Sequence, residues 1–317
     1  TRAGRRATPT RDGTQDENIT GNITHTYDSV GIYTVKITGS FPQLYFSKRE
    51  SAHDSYYYYY YVDDSQKLLS VEQWGSNKWL SMHRAFAECT NFEINATDSP
   101  DLSTVTDVSY MFDGASKFNQ SISHWNVTHI KNMTGMFTSA YAFNQDLSTW
   151  DVSNVTNMSH IFSGADAFNQ DLSTWDVSNV TNMSHMFIGA DAFNQDLSSW
   201  DVSNVTNMSH MLSHADAFNQ DLSTWDVSNV TNMSHMFNNA NAFNQDLNAW
   251  DVSNVTNMSH MFSATNTYNQ NLSAWDVSNV TNMSHMYSTT QAFNQDISTW
   301  DVSNVTDMSD MFRSSKA

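Results

Sequence analysis

From Phe118 to Ala317 the chain repeats one unit eight times: Phe-Asn-Gln-Asp-Leu-Ser-x-Trp-Asp-Val-Ser-Asn-Val-Thr-Asn-Met-Ser-His-Met-Phe plus five looser residues, at a 25-residue period. Eight tryptophans, Trp125, Trp150, Trp175, Trp200, Trp225, Trp250, Trp275 and Trp300, mark the register. A fixed period of this length is the signature of a repeat solenoid, which grows by adding coils. An active site needs one asymmetric constellation, whereas near-identical copies offer each group eight times over. The period therefore points to a surface and not to a catalyst, and no enzyme activity is expected.

The 317 residues carry 14 Lys and Arg against 33 Asp and Glu, a net charge of -19. Within residues 118–317 the only bases are Lys131, Arg313 and Lys316, set against 18 Asp. A surface of this sign repels phosphate backbones and anionic lipid, which argues against nucleic-acid and membrane partners. Cations are its natural counter-charge. The single cysteine, Cys89, rules out a disulfide framework, so stability must come from stacking. No apolar run approaches the roughly 20 residues of a membrane span. The first residue is Thr1, from which a removed or omitted leader is expected.

Residues 1–17 are basic and aperiodic and read as a disordered lead-in. Residues 18–66 read as a β-rich cap: Ile23, His25 and Tyr27 alternate, Asp28 to Gly31 signals a turn, and Ile32 to Ile37 resumes the strand pattern. The run Tyr56 to Tyr61 would put three tyrosines on each face of a strand, one face covering the end of the solenoid and the other meeting a partner; an edge strand or ordered linker is the simpler reading. Residues 67–117 are degenerate copies, in which Ser81-Met82-His83-Arg84-Ala85-Phe86 and Val105-Thr-Asp-Val-Ser-Tyr-Met-Phe112 echo the later units. Atypical copies are expected where a first coil lacks a neighbour. At the other end Asp307, Asp310, Arg313 and Lys316 put charge where middle units have Asn, His and small or apolar residues, as a water-facing last coil requires.

Inside one unit, Leu172-x-x-Trp175-x-Val177 has the alternation of a short inward-facing strand, and Met183-x-x-Met186-Phe187-x-x-Ala190 has helical spacing. The expected fold is thus a right-handed, leucine-rich-repeat-like solenoid. Each coil contributes one short parallel strand and one short helical or 3-10 turn.

Ala85-Phe86-x-x-Cys89-x-x-Phe92 resembles the signature of the BspA-type leucine-rich repeats of bacterial surface proteins. The 25-residue unit with Trp-Asp-Val-Ser-Asn-Val-Thr-Asn-Met is similar to the longer variant in that group. The opening, with His25-Thr-Tyr27, Gly31-x-Tyr33, Phe41-Pro42 and Lys67 to Trp74, is similar to that variant's N-terminal cap. The resemblance covers about residues 19–317. It implies a secreted or cell-surface protein, in many cases an adhesin, and supplies no catalytic residues. Trp and Met stand at core positions where Leu is commoner.

In stacked units every residue becomes a rung, about 4.8 Å from its equivalent. The tryptophans could stack on sugars, but their inward register favours the core. The Met pairs, such as Met183 and Met186, read as core filler instead of soft-metal ligands. His160, His185, His210, His235, His260 and His285 could bridge a transition metal or charge together in acid; a solvated position is the simpler reading. Asn154, Asn157, Asn179 and Asn182 each open an Asn-x-Ser/Thr sequon and would accept glycan after eukaryotic secretion, or else bond turn backbone. Two aspartate rows repel themselves in the stack. One follows Trp (Asp151, Asp176, Asp201, Asp226, Asp251, Asp276, Asp301); the other follows Asn-Gln (Asp146, Asp171, Asp196, Asp221, Asp246, Asp296), with Asn271 interrupting. Backbone N-H donors can compensate, or Ca²⁺ can, with the second row as its metal site. No cofactor is required.

These readings converge on a non-enzymatic extracellular or cell-surface scaffold that binds a cell-surface protein or glycan, or itself. Its strand-side face would offer Thr149, Asp151, Thr174, Asp176, Asp201, Thr224, Asp226, Asp251, Asp276 and Asp301. The alternative is a structural subunit of a surface layer or filament.

Overall fold

The computed structural model describes residues 5–9, 16–19, 31–38, 43, 44, 46 and 65–316. Strands β1 (Arg5–Pro9), β2 (Asp16–Ile19) and β3 (Val35–Thr38) form an antiparallel sheet in the order β2-β1-β3. β1 falls within the segment read as a disordered lead-in, where it pairs with β3 from Arg6 opposite Thr38 to Pro9 opposite Val35. The tyrosine run at 56–61 and the alternation at Ile23 to Tyr27 lie outside the described residues. β4 (Ser70–Val71) and β5 (Glu93–Ile94) pair in parallel.

Residues 80–316 are a run of repeats, each hydrogen-bonded to the next. In one middle unit the N-H groups of Met183, His185, Phe187 and Gly189 donate to the carbonyls of Asn207, Ser209, Met211 and Ser213, each 24 residues on. The residues between them donate inward instead: Met186 to Met183, Ile188 to His185 and Ala190 to Phe187. Alternate amides thus go across the stack and close tight turns, which leaves few backbone donors unsatisfied. The degenerate copies follow the same rule, with Met82, Arg84, Phe86 and Glu88 donating to Asp107, Ser109, Met111 and Asp113.

This pattern needs a left-handed residue at two places per repeat. His185 has φ +59° and Gly189 φ +67°, each the third residue of a turn, where positive φ is required in type II geometry. The first position is filled along the chain by Arg84, Tyr110, Gly135, six histidines and Asp310; the second by residues such as Gly114, Gly164, His214, Asn239 and Thr289. His, Asn, Asp and Gly are the residues that tolerate this conformation best. They fill most of the first column, whereas the second also takes Glu88, Ser139, Ala264, Thr289 and Ser314, on which the turn imposes positive φ.

The strand and helix expectations need correction. Leu172 to Val177 forms no strand, because Trp175 N-H closes a turn on Leu172 and Val180 N-H closes one on Val177. Parallel pairing falls instead on the Asn column, from Asp107 opposite Asn132 through to Asn282 opposite Asp307. Met183 to Ala190 shows helical spacing because consecutive three-residue turns also return side chains to one side. The cross-stack bonds take the amides an α-helix would use.

Apolar positions face inward as their spacing indicates. Leu172, Val177, Val180, Met183, Met186, Phe187, Ala190 and Phe193 are almost wholly buried. Two phenylalanine columns interlock: Phe162 stacks on Phe168, six residues on, at 3.9 Å and on its own equivalent Phe187 at 5.7 Å. The tryptophans are about 3 % exposed in the middle repeats. Each indole N-H from Trp150 onward reaches back to the preceding repeat; Trp200 Nε1 donates to Leu172 O at 3.0 Å. That bond accounts for Trp where Leu would fill a core, since Leu has no donor to link one repeat to another. At the first repeats Trp74 packs edge-on against Trp79, Phe86 and Trp125, and Phe46 stacks on Phe86. In the eighth repeat Val302, Met308 and Phe312 are exposed beside the charges of Asp307, Asp310 and Arg313, so the charge there borders the apolar edge without covering it.

Two substitutions test this backbone. Thr289 is β-branched at φ +60°, so Thr289→Gly should stabilise the chain by about 1 kcal/mol, against the usual effect of glycine. A urea midpoint that falls would contradict the strain. Trp200→Ala should cost about 3–5 kcal/mol, from the lost packing and a buried Leu172 carbonyl left without its donor. An unmoved melting curve would refute burial of the indole.

Candidate functional site

Many polar side chains of the repeat are spent on the preceding repeat. Thr149 and Thr174 donate Oγ1 to Ser123 O and Ser148 O, at 2.7 and 2.8 Å, and Thr224 donates to Ser198 O at 2.9 Å. Asn154 Nδ2 donates to Thr128 O and Asn179 Nδ2 to Ser153 O, at 2.9 and 2.8 Å. Asn144 Oδ1 accepts both Asn169 N-H and Gln170 Nε2. The amide nitrogen that a glycan would use is thus already a donor at Asn154 and Asn179. Asn157 and Asn182 sit on the parallel pairing column, their Oδ1 capping Ser159 and Ser184 N-H.

The aspartates behave differently, since one oxygen suffices for their structural role. Asp151 Oδ1 accepts the N-H and hydroxyl of Ser153, and Asp176 Oδ1 those of Ser178. Asp201, Asp226, Asp251, Asp276 and Asp301 cap Ser203, Ser228, Ser253, Ser278 and Ser303 N-H in the same way. In the second row Asp146, Asp171, Asp196, Asp221 and Asp296 cap the serine two residues on, and Asp246 caps Asn248. These are turns closed by a side chain, the usual work of Asp before Ser. The Ser153 hydroxyl, then its N-H, holds the Asp151 carboxyl below its ordinary range; Asp226 and Asp276 are lowered likewise. Backbone N-H leads the same effect at Asp146, Asp196 and Asp296. All of them are exposed, in two columns that Ser121, Asn126 and Asn271 interrupt. Among the described residues no three His, Cys, Asp or Glu side chains converge as a metal group.

The sequence reading grouped Thr149, Thr174 and Thr224 with the Asp that follows Trp, and the structure does expose both columns side by side. It does not leave the threonine hydroxyls free. A shallow groove of about 260 Å³ interrupts the surface near the first repeats, lined by Ser103, Thr104, Thr106, Thr128, His129, Lys131 and Asn154. There His129 and Lys131 replace the Asn and Thr of the later repeats.

The histidines are only partly solvated, less than the simpler sequence reading expects. Their rings are half-buried and stack face to face from His160 to His285, with centroids 4.2, 4.4, 4.1, 4.3 and 4.4 Å apart and planes within 13°. Burial, and then the neighbouring rings, push His185, His210 and His235 down to about 4. A ring nitrogen's lone pair lies in the ring plane, so parallel stacked rings do not aim at a shared ion. The sequence signal for this column was Gly135 and Asp310 at its ends, both residues tolerant of positive φ.

His210→Val should destabilise the chain by about 1–2 kcal/mol, because a β-branched residue resists positive φ. His210→Asn should be far milder. Equal urea midpoints for the two variants would contradict the backbone role of the column.

A family model described as "Mycoplasma protein of unknown function, DUF285" matches the chain three times, at residues 80–190, 166–267 and 245–317. No curated protein and no solved structure matches the chain.

Proposed function

For a chain that belongs to the DUF285 family, we propose the role of a non-enzymatic extracellular or cell-surface scaffold, whose stacked repeats form a leucine-rich-repeat-like solenoid that binds a partner along its aspartate rows. The observation that carries this reading is the division of labour among side chains. Thr, Asn, Gln and Trp spend their donors inside the stack, while the Asp of the two rows commit Oδ1 to turns and remain exposed. A ruler of carboxylates at one-repeat spacing suits an extended partner presenting donors or cations in series, such as a cell-surface glycan or a basic protein segment. Extended repeat surfaces gain affinity by engaging several rungs at once. The resemblance of the repeat to BspA-type surface proteins supports the location and the adhesive role.

The test exploits the capping geometry. Asn keeps an Oδ1 acceptor for the turn and removes the charge, so Asp176→Asn, Asp201→Asn and Asp226→Asn together should leave the melting temperature nearly unchanged. Binding of the labelled chain to a panel of cell-surface glycans and basic proteins should fall at least about tenfold for the triple variant. Equal binding by the two proteins would refute the aspartate surface. Regular arrays or filaments of the purified chain under the electron microscope would instead favour a layer or filament subunit.

A further inference from the structure

We propose that the histidine column is an acid-sensitive fastening of the repeat stack: neutral rings hold neighbouring repeats together, and protonation of adjacent rings drives them apart. The geometry is a single file of six imidazoles, each half-buried, each face to face with the next at no more than 4.4 Å between centroids. Neutral rings pack well at that separation. Charged rings at the same separation repel, and the two ring faces exclude the water that would screen them.

The backbone fixes where each ring is anchored. Each histidine sits at φ between +56° and +59°, locked on both sides by the cross-stack bond of its own N-H and the turn that follows. His185 and His235 moreover hold Nδ1 buried without a hydrogen-bond partner. A neutral ring can present a bare lone pair there. A protonated ring would have to bury an N-H with no acceptor, which is costlier.

The groups facing the column offer little compensation. Before His160 the position is Gly135, with Tyr110 packed over it and Arg84 over the Tyr110 ring at 5.4 Å. His214 approaches His210 from the second left-handed position of the same repeat and adds to the repulsion. Only the far end has a carboxylate in ion-pair range among the described residues: Asp310 Oδ2 lies 3.8 Å from His285 Nε2 and 3.7 Å from Arg313, and Asp307 feels the same ring. The middle rings, His185 to His235, have no such partner, so the stack should open from its centre.

The direction with pH follows from linkage. The ordinary value is 6.5 and the folded value of the three middle rings is about 4, so the unfolded chain binds more protons between these limits. Their contribution is complete above pH 6.5 and is lost as the pH falls toward 4. The capping aspartates lie in a separate window, because their lowered values delay their loss to below the ordinary 3.8. Asp166, raised by burial and then by Asp191, acts with the opposite sign and does not mimic the histidines.

The experiment compares the intact chain with the triple variant His185→Asn, His210→Asn and His235→Asn, since Asn accepts positive φ and does not titrate. Between pH 7 and 4.5 the melting temperature of the natural sequence should fall by on the order of 5–10 °C, and that of the variant by less than half as much. Equal falls would overturn the proposal. In parallel, NMR titration of the imidazole protons of the unmodified chain should give midpoints near 4 for the central rings. Midpoints near 6.5 would overturn the proposal independently, including in the event that the variant does not fold.

Discussion

The structure depends on one backbone device: two left-handed residues per repeat, which turn alternate amides out of the turn and into the neighbouring repeat. Without positive φ at positions such as His185 and Gly189, the N-H groups of Met183, His185, Phe187 and Gly189 would not all point along the stack. A segment of continuous right-handed turns would instead satisfy its amides internally and leave adjacent repeats joined by side chains alone. The near-absence of helix among the described residues and the isolated bridges of the Asn column are both consequences of this one choice.

Side-chain chemistry then reinforces what the backbone begins. The indole of Trp200 reaches Leu172 O, the hydroxyl of Thr206 reaches Thr181 O, and the amide of Asn204 reaches Ser178 O. Every rung is thereby tied at several points around its circumference, and the apolar interior is sealed by columns of Phe, Met and Val. Near-identity of the repeats is a physical requirement here, because each residue must meet its own equivalent. Departures are accommodated locally. Thr265 and Thr290 replace a core Ala, and their hydroxyls bond Phe237 O and Phe262 O. Tyr268 and Tyr287 replace Phe and bury hydroxyls without a partner, for which the structure gives no compensating contact.

Periodicity alone revealed the repeat unit, its register and its inward face: Leu172, Trp175, Val177, Met183 and Phe187 are buried as their spacing indicates. The type of local structure was not legible in the same way. Spacing of three and four is shared by a helix and by consecutive turns, and only the φ preference of His, Gly and Asp at one column separates the two. A polar residue between Ser and Met looks peripheral in sequence, yet the histidine rings are half-buried. Their stacking comes from the 25-residue register, which superposes like on like. The aspartate rows were legible as exposed and hydrogen-bonded. That the adjoining Thr149 and Thr174 hydroxyls are already engaged follows only from the position of the preceding repeat.

The most direct test of the left-handed ladder is amide hydrogen exchange resolved by residue. The cross-stack amides of Met208, His210, Leu212 and His214, which bond Asn232, Ser234, Met236 and Asn238, should exchange only through cooperative opening of the stack. The amides of Ser203 and Ser228, closed only by the side chains of Asp201 and Asp226 in exposed turns, should exchange faster by orders of magnitude. Exchange from the cross-stack amides as rapid as that from these turns would contradict the account, because it would mean that alternate amides are not shared between neighbours.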